Sequence, residues 1–100
     1  MQYIIVTQLE TTGLVSCKIQ GLNDVDKLKI EQELTKSGLV YIIKDKFIEI
    51  DIQGVQVLNL LAGNHYSYRI IGQSMIMEES SVGGRISKVE KITWTLKKEK

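Results

Sequence analysis

The chain reads as one α+β domain spanning residues 1–100, a two-layer sandwich of a mainly antiparallel sheet with one or two helices in the order ββαββαββ. Three observations lead there. A length of 100 residues suits a single core. A hydrophobic fraction of 43% with 25% charged residues and a net charge of +1 belongs to a folded globular protein, because a disordered chain needs few apolar residues and a large net charge. Finally, 14 Ile against one Ala tilt the segments towards strand, since Ile is stiff at χ1 and suits a pleated surface. The same Ile-rich, Ala-poor composition points to an AT-rich source, such as a low-GC bacterium or its phage.

Each element follows from local pattern. Tyr3 to Leu9 and Leu14 to Ile19 are β-branched or apolar runs separated by the turn-like Glu10-Thr11-Thr12-Gly13, which makes a hairpin. Asn23 or Asp24 then caps a helix over 25–36, and Gly38 stops it. Its apolar residues disagree in direction: at 100° per residue Val25 and Leu28 point one way, Ile30 and Leu34 another. Such a helix is either gripped on two sides or frayed at its far end. A second hairpin follows from Leu39–Ile43 and Phe47–Ile52, where Ile48, Ile50 and Ile52 alternate with Glu49, Asp51 and Gln53 and demand one buried and one wet face. Residues 55–62 admit two readings, a short helix through Val55, Leu58 and Ala62 or a strand continued past a bulge at Gly54. The helix is preferred because Ala62-Gly63-Asn64 ends one well. Tyr66, Tyr68 and Ile70 start a strand that shifts parity at Gly72 and resumes at Met75 and Met77. Glu78 to Gly84 is rich in turn residues and is expected as a mobile loop. In the last strand, Arg85 to Lys97, Ile92, Trp94 and Leu96 face the core while Thr93, Thr95 and Lys97 face out.

Chemistry that needs several converging donors finds little here. One Cys (Cys17) and one His (His65) cannot form a Cys/His zinc site within one chain, so no metal and no cofactor is expected. Cys17 lies among Leu14, Val15 and Ile19 and reads as a buried thiol; His65 beside a turn reads as solvated or capping. The adjacent Glu78 and Glu79 do not make the opposed carboxylates of a glycosidase. Ser81-Val82-Gly83-Gly84-Arg85 lacks the spacing of a phosphate loop and leads into a strand. A non-enzymatic protein is expected. No apolar run approaches the roughly 20 residues of a membrane span, and Met1-Gln2-Tyr3 lacks the basic start of a secretory signal, so the expectation is a cytoplasmic protein without a membrane partner.

Charge is the uneven feature. Residues 84–100 carry +4 and the remaining 83 carry −3. A basic strand after a Gly-Gly turn is an electrostatic footprint for phosphates, and it selects Arg85, Lys88 and Lys91 with Gly83 and Gly84 as a nucleic-acid contact. Arg85 and Lys91 share strand parity, and Lys88 joins them if a bulge between Ile86 and Val89 flips the face. Lys on a solvated edge strand also serves simply to discourage aggregation.

Gly84-Arg85-Ile86-Ser87-Lys88-Val89, with Ile92, Leu96, Lys97 and Lys98 behind it and Gly72 ahead, resembles the final strand of the Alba family of nucleic-acid-binding proteins. The resemblance covers about the last 30 residues. It implies a β-α-β-α-β-β sandwich, commonly dimeric, whose final hairpin lies along a groove of the duplex. The chain departs from that family upstream, where Ile19-Gln20-Gly21-Leu22-Asn23 has no lysine pair, and it adds an N-terminal strand.

The leading expectation is therefore sequence-independent nucleic-acid binding through the basic C-terminal hairpin. The alternative is a small phage or bacterial protein-interaction module, such as a regulator, inhibitor or assembly subunit. A further alternative is a small-ligand-binding oligomer with Tyr41, Tyr66, Tyr68, Trp94 and Arg69 around a site between subunits. A homodimer is expected in any case, because a 100-residue interior cannot hold all these Ile-rich faces.

Overall fold

A computed structural model describes residues 2–11, 14–63 and 66–99, with the backbone alone at 78, 80–82 and 85–87. Strands β1 (Tyr3–Thr11), β2 (Leu14–Gln20), β3 (Tyr41–Ile43), β4 (Phe47–Ile50), β5 (Tyr68–Val82) and β6 (Arg85–Lys98) form one antiparallel sheet in the order β3-β4-β2-β1-β6-β5. Helix α1 (Asp24–Lys36) lies between β2 and β3 in the chain, and α2 (Gly54–Leu61) between β4 and β5. This is the expected ββαββαββ order and α+β class. Compared with the order that the Alba resemblance implies, it has two further strands.

Strand alternation decides which face is covered. Ile4 and Val6 of β1 are 1% and 0% exposed, whereas Tyr3 and Ile5 are 48% and 41%. Cys17, Ile19, Ile48, Ile50, Trp94 and Leu96 continue the buried face and pack with Ile30 and Leu34 of α1 and Val57 and Leu61 of α2. Both helices thus cover one face of the sheet, and the other is open to solvent.

Asn23 caps α1, its Oδ1 accepting the Asp26 N–H at 2.7 Å. At the far end Leu39 N–H donates to Leu34 O and Gly38 N–H to Thr35 O, a Schellman closure that holds the last turn. The helix neither frays nor is gripped on two sides: the Ile30/Leu34 face is buried, and Val25 and Leu28 stay 63% and 57% exposed. The expected conflict resolves because the sheet offers only one surface to pack on.

Residues 54–61 are helical, as preferred above. Gln53 at the N-cap makes no side-chain bond. Instead Gln8 Oε1, from β1, accepts the Gly54 N–H at 2.6 Å, so a strand side chain satisfies one of the amides that a helix start leaves open. Asn64 and His65 lie outside the described residues, and so do their expected capping roles.

The strand pairing corrects two expectations. The register slips between Ile70 and Gly72, as the Gly72 parity change required, but none occurs between Ile86 and Val89. Moreover, 78–82 are not a loop: β5 and β6 pair without interruption to Val82↔Arg85 and turn on Gly83 and Gly84 alone. Both glycines have positive φ, 61° and 80°, the requirement of a tight two-residue hairpin turn that glycine meets without strain. β1 stops pairing with β6 at Thr11↔Val89, so the outer part of the β5–β6 hairpin extends beyond the strands that flank its base. No helix among the described residues is long and apolar enough to cross a membrane.

Candidate nucleic-acid interface

On β6 the ladder is regular, so successive positions alternate strictly between faces. Positions 85, 91 and 97 fall on the open face, and position 88 falls on the helix side with Glu90, Ile92 and Trp94. The expected cluster of Arg85, Lys88 and Lys91 is therefore divided: Lys88 is exposed but opposes Glu79 on the other face. Positions 85 and 91 share a parity, yet their backbones stand about 20 Å apart, six residues along a strand. Gly83 and Gly84 are exposed at the tip of the hairpin.

What the strand order adds is a set of neighbours that the linear sequence separates. Lys91 pairs across with Leu9 and Ile76, and Lys97 with Tyr3 and Arg69. On the far side of β1, Lys18 pairs with Thr7 and Glu49. The open face so carries Lys18, Arg69, Lys91 and Lys97, with Glu49 on it and Glu99 reaching it at Arg69 as the acids among residues whose side chains are described. Between these charges lie Thr7, Thr93, Thr95, Ser74 and Gly72, a floor of short side chains. Arg69 Nε binds Glu99 at 2.8 Å with both side chains more than half exposed, a contact that contributes little. Lys18 Nζ sits 4.9 Å from the centroid of the Phe47 ring. Lys97, turned outward by the sequence pattern, joins Lys91 by parity along β6, whereas Lys18 and Arg69 could not be placed beside them because no spacing rule brings β2 and β5 to the surface of β6.

On the covered face the notable polar group is Asp26, 1% exposed in the first turn of α1. Its Oδ2 accepts from Tyr68 Oη at 2.7 Å and from Lys98 Nζ at 2.6 Å, while Oδ1 has no hydrogen-bond partner among the described residues. Burial by itself raises the carboxyl pKa, but the bonds from Lys98 and Tyr68 outweigh it and hold the group below the ordinary carboxylate value. Burial first, and then the Asp26 carboxylate, push the Tyr68 phenol upward. Asn23 Nδ2 bonds Gln2 Oε1 at 2.6 Å, tying the chain's start to the same corner. Asp26 and Lys98 close a structural knot between α1 and the sheet, so Lys98 is not available to the open face.

Cys17 is fully buried, as expected. Its Sγ–H donates to Ile52 O at 3.1 Å, and burial pushes the thiol pKa up to about 11, so it stays protonated. The five residues of the ligand-site alternative do not converge. Tyr66, Tyr68 and Trp94 are core residues, Tyr41 Oη bonds Thr35 Oγ1 at 2.6 Å, and Arg69 is on the opposite face. A groove of about 980 Å³ at the end of β1 and β2 contains Glu49 and Asp51, and a cleft of about 470 Å³ beside α1 contains Lys29, Glu33 and Tyr66. Among the described residues no three His, Cys, Asp or Glu side chains are grouped to hold a metal. A scan against protein-family models and a search of curated proteins both find no match for this chain.

Proposed function

We propose that the protein is a non-enzymatic nucleic-acid-binding module that uses the open face of its sheet together with the projecting β5–β6 hairpin. The observation that carries this reading is the gathering of Lys18, Arg69, Lys91 and Lys97 on the one sheet face no helix covers, against Glu49 and the Glu99 that pairs with Arg69. The likeness of residues 84–98 to the final Alba strand supports the same reading. Position 85 continues that face towards the tip of the hairpin, and Lys88 lies on the other side. Contacts of this kind are to phosphates, so binding is indifferent to sequence and falls with salt at a log–log slope near −0.7 to −0.9 per phosphate neutralised. Reversing Lys91 and Lys97 together to Glu should abolish binding in a mobility-shift assay at low salt and leave the circular dichroism spectrum unchanged, while Lys88→Glu should have a much smaller effect. Equal binding by the double variant and the wild type would refute the assignment of the face.

The protein-interaction reading has an observation of its own. β5 is a 15-residue edge strand without Pro or Lys, and Ile70, Ile71, Met75, Ile76 and Met77 on it are each between 47% and 59% exposed. Such an edge offers unpaired backbone and apolar side chains to a second strand. A homodimer pairing β5 with β5 would cover them and continue the sheet through both copies. Light scattering at tens of micromolar should then report twice the 11.3 kDa chain mass; a monomer mass would rule the dimer out.

A further inference from the structure

Phosphate contacts explain the cations of the open face and leave its aromatic residues unexplained. Tyr3 is 48% exposed on β1, one of the two central strands of the sheet, and Ile5 beside it is 41% exposed. Phe47 on β4 is half-buried on the same face. The register Ile5↔Gln20↔Phe47 places Tyr3 and Phe47 two strands apart and two residues out of line, a separation of about 12 Å along the face. Each ring has a cation at hand. Lys97 is directly opposite Tyr3 across the β1–β6 ladder, and the Lys18 ammonium rests over Phe47. Between the rings lie Ile5 of β1 and Gln20 of β2, an apolar and an amide side chain over which a strand can pass, with no charge in the gap.

We propose that this face is a stacking platform for single-stranded nucleic acid, with bases resting on Tyr3 and Phe47 and the flanking phosphates held by Lys97 and Lys18. The proposal rests on the nucleic-acid reading above and narrows it to one substrate class. A duplex keeps its bases stacked on each other and presents only phosphates and groove edges, so rings on a sheet face gain nothing from it. A single strand has free base faces, and stacking on aromatic side chains is worth about 1–3 kcal/mol for each base whatever its identity. Twelve ångströms is too far for one base to touch both rings, so two bases of one strand occupy them. The positive face complements the strand's backbone, and an aromatic ring paired with a cation at each end sets the polarity-free, sequence-tolerant character of the site.

The test compares three labelled probes by fluorescence anisotropy at low salt: an oligothymidine of about 15 nucleotides, an abasic strand with the same number of phosphates, and a duplex of equal length. The wild type should bind the thymidine strand at least ten-fold tighter than the abasic strand. Tyr3→Ala and Phe47→Ala should each weaken thymidine binding about five- to hundred-fold and hardly change abasic binding, while Tyr3→Phe and Phe47→Tyr should retain it. If abasic strand, thymidine strand and duplex bind alike and the alanine variants match the wild type, binding is by charge alone: the platform is then wrong and the nucleic-acid reading stands. If the wild type binds none of the three, both fall and the face belongs to a protein partner.

Discussion

Replacing Asp26 with alanine should destabilise the protein by about 3 kcal/mol, the lower end of the range for breaking a buried ion pair, because Lys98 keeps 31% of its side chain exposed and can turn to water. The loss has two parts. Tyr68, 3% exposed, is left with a buried hydroxyl whose acceptor is gone, and α1 loses its tie to β6. Urea denaturation at neutral pH measures it. The sign with pH is also determined. Because the folded protein holds the Asp26 carboxyl below its unfolded value, near 3.9, the ionised form stabilises the fold fully above about pH 4, and the contribution is lost as pH falls through the lower, folded value. Wild type should thus lose stability on acidification that Asp26→Asn does not lose from this site. An Asp26→Ala protein as stable as wild type at pH 7 would show that the knot contributes nothing.

Gly54→Ala should cost about 1–3 kcal/mol although it adds a single methyl group to a helix start. A Cβ there would stand 2.5 Å from two ring atoms of Trp94 and 2.9 Å from Gln8 Oε1. Trp94 is 6% exposed and cannot retreat without displacing the core, and Gln8 is held in place by the bond it accepts from the Gly54 amide. Helix propensity alone would favour alanine here, so a thermal midpoint that falls instead of rising identifies the close approach as the stronger effect. A midpoint equal to or above that of wild type would mean that the ring yields freely.

The order of elements was legible in the sequence because the signals are local. Ile48 and Ile50 alternate with Glu49, Asn23 and Gly38 bracket α1, and Gly72 marks the parity change. The outer hairpin was not legible, since Glu-Glu-Ser-Ser has turn-like composition and becomes strand only because β6 supplies a partner at each position. Lys88 was assigned to the wrong face for a related reason: the irregular apolar spacing of Ile86 and Val89 reflects a stretch outside the body, where neither face is required to be apolar. The open face itself is a product of strand order. Tyr3 and Lys97 are neighbours through pairing between the first and last strands, and Asp26 meets Lys98 across 72 residues.

That first-to-last pairing has a consequence for how the fold is reached. The sheet is two blocks, β3-β4-β2-β1 and β6-β5, joined along the single seam between β1 and β6. Until the seam closes, the first block exposes Ile4 and Val6 beside an unpaired strand, and the second lacks a core altogether. Closure needs contacts between residues more than 90 positions apart, such as Tyr3 with Lys97, so the loop entropy is spent before the reward arrives. During synthesis the ribosome would hold the first block waiting for β6, and this interval, more than any weakness of the finished structure, is when the chain is most exposed to aggregation.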